Sequence, residues 1–141
     1  MMKRNVHNPA TVFNSLQYGF SQAVIVEGGR RVLLSGQVGV DAEERTVNGG
    51  LGAQLHGALD NVERVLADLG GSLDHVVVLR IYIVESAKDD QAAIADALIK
   101  RFPECPPATS WIIVNGLSVP EWLVEVEAEA VLPDETTPGG V

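Results

Sequence analysis

The chain has 141 residues, nearly half of them apolar, and a formal net charge of −9. That length suits one domain with one core. The basic residues never cluster beyond adjacent pairs, which excludes nucleic acid and anionic membranes as partners, because phosphate neutralisation supplies most of that affinity.

Residues 1 to about 10 read as a loosely held arm. MMKRNVHNPATVF has basic residues but no long apolar stretch after them, so no signal peptide is expected. No apolar run approaches the ~20 residues of a membrane span. The single cysteine, Cys105, allows no internal disulfide and fits a cytoplasmic location.

Two β-rich runs, AVIVE and RVLLSGQV, flank Gly28 and Gly29. The pair reads as a hairpin, since adjacent glycines supply the positive φ of a tight turn. Over 51–69 Leu51, Leu55, Leu59, Val62, Leu66 and Leu69 recur at steps of three or four. This predicts an amphipathic helix ended by Gly70. HVVVLRIYIV, 75–84, is an almost unbroken β-branched run and reads as a strand buried on both faces. Residues 89–102 predict a second helix with Ala92, Ala95, Ile99 and Phe102 inward and Pro103 as its stop. ATSWIIVN and EWLVEVEAEAV give two last strands. PDETTPGGV, 133–141, is a polar, flexible tail after a single domain of residues 1–132.

The predicted order is β-β-α-β-α-β-β, an α+β layout with two helices on one face of a mixed sheet. Two helices cover only one face, so a further subunit is expected to cover part of the other.

Few residues point to chemistry. His7, His56 and His75 have no second ligand at metal spacing, so no metal site is expected. Cys105 lies between a helix end and two prolines, without the helix N-terminus or nearby cation that favours a thiolate. Ser35, in LLSGQ, lacks the surroundings of a nucleophilic serine; the SGQ segment is better read as a hydrogen-bond donor or a backbone-shape position. Arg80 is a lone charge in an apolar strand. It either pairs with a carboxylate or lines a cleft, and pairing with Glu125, Glu127 or Glu129 is the favoured reading. In LVEVEAEAV those three acids alternate along one face, which is ordinarily a solvated arrangement.

Three segments together resemble the Rid family, also called YjgF-like and labelled endoribonuclease L-PSP. They are FSQAV followed by LLSGQVGV, the helix with LDNVERVLADLGGSLDHVV, and PPATSWIIVNGL…LVEVEAEAVLP. The resemblance implies a chorismate-mutase-like fold and a homotrimer with a barrel-like centre and a small-molecule cleft at each subunit interface. The implied activity is hydrolysis of reactive enamines and imines, such as 2-aminoacrylate, with no cofactor or metal.

By position, the family's water-handling glutamate falls on Glu125. Its cleft tyrosine falls on Phe20, its carboxylate-clamping arginine on Thr109, and a cysteine on Trp111. The acid is kept and the clamp is lost. That argues against the standard 2-aminoacrylate deaminase and for an apolar, aromatic pocket suited to a larger or less acidic ligand. The implied site is thus Glu125 as general base, with Phe20, Ser35, Gly36, Thr109, Trp111 and Arg80 as candidate ligand contacts. A trimer that binds a metabolite without chemistry is the alternative.

Overall fold

In the computed structural model, residues 2–134 are described. The leucine stripe becomes α1, Gly50–Asp68, which buries Leu51, Leu55, Leu59, Val62 and Leu66. Its end is a Schellman motif. Gly70, at φ 83°, donates to the Ala67 carbonyl at 3.0 Å, and Gly71 donates to the Leu66 carbonyl at 2.7 Å.

Seven strands are found among the described residues. A two-stranded ribbon pairs β1, Lys3–His7, with β2, Ala23–Glu27. The main sheet holds β3, Arg30–Leu33, then β7, Val124–Leu132, β5, Val76–Val84, and β6, Ala108–Val114, in that spatial order. The short β4, Gln37–Val38, also pairs with β7. β5 and β6 run parallel while β7 is antiparallel to β3 and β5, so the sheet is mixed.

One sheet face and both helices form the core. Leu79, Ile81 and Ile83 of β5 and Val124, Val126, Ala128 and Ala130 of β7 are buried there with the stripe of α1. The second helix, α2, Ala92–Arg101, adds Ile94, Ala97 and Leu98. The opposite face, with Val78, Arg80 and Tyr82, is only half buried. The α+β layout and the two principal helices agree with expectation.

Four local expectations need correction. The N-terminal arm is a paired strand, anchored by Arg4, which donates to the Cys105 carbonyl at 2.9 Å and the Val76 carbonyl at 2.8 Å. Gly28 and Gly29 do take positive φ, 76° and 88°. They do not close a hairpin, however, because β2 pairs with β1 while β3 pairs with β7. The chain changes sheets there. β5 is buried on one face only, since both helices lie on the same side. On α2 the inward stripe is Ile94, Ala97 and Leu98, while Ile99 is exposed. The helix starts at Ala92, after a 3-10 segment over Glu85–Asp90, and its two bulky residues at i and i+4 outweigh alanines in burying apolar area.

The start of the expected tail is held. Arg30 donates to the Pro133 carbonyl at 3.3 Å, and the Gly29 amide donates to the Asp134 carboxylate at 3.1 Å. Residues 135–141 of that tail lie outside the described residues. Among the described residues, no helix is long and apolar enough to cross a membrane.

Candidate functional site

Alternation along β7 puts Glu125, Glu127 and Glu129 on the half-buried face, opposite the core. Register places Tyr82 beside Glu125, Arg80 beside Glu127 and Val78 beside Glu129. Arg80 donates to Glu127 at 3.2 Å and to Glu129 at 2.9 Å. Arg31, from β3, reaches Glu129 at 3.2 Å, and the Tyr82 hydroxyl donates to Glu127. The Tyr82 hydroxyl and then Arg80 hold the Glu127 carboxyl below its ordinary range, and Arg80 and then Arg31 do the same for Glu129. Both acids raise the pKa of Arg80, and Glu127 raises that of Tyr82. Arg80 is therefore paired, the favoured of its two sequence readings.

Glu125 is different. Its backbone belongs to the β7 ladders, but among the described residues its side chain makes no hydrogen bond and no ion pair. Its neighbour is backbone. Leu33 pairs with Glu129 and Gln37 with Val126, so three residues, 34–36, face two, 127–128. This is a one-residue bulge, a device that re-aims nearby side chains. It sets Gly36 against Glu125, where a Cβ at position 36 would collide with the carboxylate. The SGQ segment thus acts through backbone shape. Ser35 itself is exposed, and its carbonyl accepts from the Gln37 amide group at 3.1 Å.

Thr109 and Trp111 stand elsewhere. Leu79 pairs with Thr109 and Ile81 with Trp111, which puts both on the core side of the sheet, at its β6 margin. The Trp111 indole N–H donates to the Thr109 hydroxyl at 3.0 Å. Ser21, bridged to the start of β6, brings Phe20 alongside, and its ring lies 5.9 Å from that of Trp111. Phe13 is 6.2 Å from Phe20 and 6.5 Å from Tyr18.

A single chain therefore gathers the predicted residues into two groups. Glu125 and Gly36, with Arg80 two positions along, lie on one face. Phe20, Thr109 and Trp111 lie on the other. Phe13 and Tyr18 were missed by sequence reasoning. The density of aromatics just before the SGQ segment was the available sign. Of the histidines, His56 accepts from Arg101 at 3.1 Å and His75 from the Ser72 amide at 3.0 Å. Among the described residues, no cluster of three or more His, Cys, Asp or Glu could hold a metal.

Comparison with known proteins agrees with this architecture. The family model described as endoribonuclease L-PSP matches residues 14–132. Protein DfrA of Myxococcus xanthus is 34% identical over 113 residues, covering 79% of this chain and 84% of that protein. The crystal structure of YyfB from Yersinia pestis, a protein of unknown function of the conserved Rid family, superposes with a TM-score of 0.86 at 38% identity, over 92% of this chain and 98% of that one. RidA from an Antarctic Psychrobacter gives a TM-score of 0.67 at 28% identity, over 89% and 94%. With a family match over most of its length and relatives above 30% identity, this chain belongs to the Rid, or YjgF-like, family.

Proposed function

We propose that the protein hydrolyses a small reactive imine, enamine or carbonyl compound at clefts between the subunits of a homotrimer, with Glu125 as general base and no cofactor. One observation carries the reading. Of the three acids on the open face, two are engaged by Arg80, Arg31 and Tyr82, while the Glu125 side chain, among the described residues, is left unpartnered beside a glycine. An unpaired carboxylate retains its acceptor capacity for a water proton.

The chemistry balances without further reagents. Glu125 takes a proton from water as the water oxygen adds to the carbon of C=N, and passes that proton to the nitrogen. It then takes the proton of the new hydroxyl as the C–N bond breaks, and returns it to the nitrogen, which leaves as amine or ammonia. A carbonyl compound remains.

Two features support a cleft built from two copies. Glu125 and the Thr109–Trp111 pair occupy opposite faces of one sheet, so one chain supplies each wall only once. Uncovered apolar surface also lies beside Glu129, where Leu33 is 66% exposed. A neighbouring copy bringing its β6 margin to this face would complete the site.

Glu125→Gln is expected to lower turnover of a preferred imine by about 10²–10⁴-fold while the sedimentation profile stays unchanged. Undiminished turnover in that variant removes the assigned role. A trimer that binds a metabolite without chemistry is the second reading, favoured by threonine at position 109, where the family resemblance expects an arginine. Ligand binding with no turnover of any bound compound would select it.

A further inference from the structure

Four of the seven aromatic residues form one connected cluster, Tyr18–Phe13–Phe20–Trp111, with successive ring centroids 5.9–6.5 Å apart. Three of its four residues come from one loop, and that loop's polar groups are used to fix it. The Asn14 carboxamide accepts from the Leu16 amide at 3.1 Å, the Ser15 hydroxyl donates to the Phe20 carbonyl at 2.7 Å, and the Gln22 side chain donates to the Phe13 carbonyl at 3.0 Å. Gly19, at φ 89°, lies so close to α2 that a Cβ would stand 2.7 Å from that of Leu98. The loop is thus held while its rings face outward, Phe13 61% and Tyr18 43% exposed. Rings fixed before a ligand arrives lose little entropy on binding it.

Charge restricts what such a surface accepts. All seven arginines are engaged: Arg4 and Arg30 by carbonyls, Arg31, Arg45 and Arg80 by carboxylates, Arg64 by Asn61, and Arg101 by His56 and Asp60. Arg80, the one on an inner strand of the sheet, lies on the opposite face from Trp111. No guanidinium is free beside the rings to clamp a carboxylate, and the chain as a whole is strongly acidic. The polar group that adjoins Trp111 is the Thr109 hydroxyl. It already accepts the indole N–H, so its own proton is free to donate, and accepting one hydrogen bond strengthens the donation of another.

We infer that the Phe13–Phe20–Trp111 row and the Thr109 hydroxyl form a site for a neutral, planar aromatic carbonyl compound or its imine, and that the site discriminates against amino-acid-derived carboxylates. The rings take the flat apolar body, and the hydroxyl takes the single acceptor atom. This names the substrate class of the proposed hydrolase and rests on that reading for the chemistry but not for the binding.

Acetophenone and pyruvate, an aryl ketone and a carboxylate ketone, separate the two classes when titrated calorimetrically into the full chain. Acetophenone is expected to bind at least tenfold more tightly. Trp111→Ala and Thr109→Val are each expected to weaken it about tenfold without affecting the circular dichroism spectrum. Should Trp111→Ala fail to fold, Thr109→Val and Trp111→Phe take its place, the latter expected to keep most of the affinity. Equal affinity for pyruvate, or acetophenone binding untouched by the folded variants, overturns the inference. So does dissociation of the assembly by Phe13→Ala and Trp111→Ala with ligand affinity preserved, which would make the rings a contact between copies.

Hydrolysis of N-benzylidenemethylamine by wild type and Glu125→Gln separates this from the catalytic reading. Tight acetophenone binding with no Glu125-dependent hydrolysis keeps the site and removes the hydrolase. Glu125-dependent hydrolysis of 2-aminoacrylate without acetophenone binding does the reverse.

Discussion

Glu125, Glu127 and Glu129 are chemically identical, and their surroundings divide them. Arg80 bridges two of them, so the repulsion of three like charges along one strand is relieved at two positions and left at the third. Partial exposure keeps such pairs modest in stability terms, and their effect is chiefly to fix which acid is free. Gly36 makes that freedom possible. Gly36→Ala is expected to push the Glu125 carboxylate away from its present position. A displacement of about 1 Å can cost about 100-fold in rate, so turnover should fall by that order. The melting temperature should change little, because the far end of a flexible side chain can yield. Wild-type turnover in Gly36→Ala would show that the carboxylate position is unimportant. The alternation of the three acids was legible in the sequence. Which of them stays unpartnered was not, because Tyr82 and Arg31 come from distant strands whose register no local pattern encodes.

Between elements, the α1–α2 contact is fastened by Arg101. It donates to the ring nitrogen of His56 at 3.1 Å, to the His56 carbonyl at 3.0 Å and to Asp60. Burial, then Arg101, then Lys100, lowers the pKa of His56, with Asp60 acting the other way. The folded chain binds this proton less readily than the unfolded chain, so the contribution is complete above the unfolded pKa of about 6.5. It is lost as pH falls through the lower folded value. The melting temperature should therefore drop as the pH is lowered below that range, and His56→Gln should flatten the drop. The lowered carboxyls of Glu127 and Glu129 lose their contribution only in a more acidic window, below the ordinary carboxylate value of 4.5. A melting temperature that is flat across the histidine range in the wild-type chain would contradict the assignment. At this scale α1 was readable because its leucines fit one stripe and Gly70 could only be its end. α2 was misread because AAIADALI is apolar almost throughout, so more than one stripe fits. The glycine pair was read correctly as a place of positive φ and wrongly as a hairpin. Local geometry says that the chain turns, not which sheet receives the next strand. KRNVH carries almost no apolar alternation, and its strand character comes from pairing with β2 and from the Arg4 anchor.

For the molecule as a whole, fold class and family were legible because the SGQ bulge, the long helix and the alternating last strand recur together in fixed order. The division of the candidate site was not. Parity within a strand can be counted, but relating Thr109 to Glu125 requires the registers of β6 on β5 and of β5 on β7, both set by long-range pairing. That division has a genetic consequence. If every reaction centre borrows its acid from one polypeptide and its rings from another, two individually impaired alleles should rescue each other when co-refolded. An equal mixture of Glu125→Gln and Trp111→Ala chains, assembling at random, leaves about a quarter of the centres with both halves intact. Recovery of roughly that fraction of wild-type turnover at ligand concentrations too low for the Trp111→Ala chain is the expected result, and a mixture no more active than the mean of its parents would mean that each polypeptide works alone.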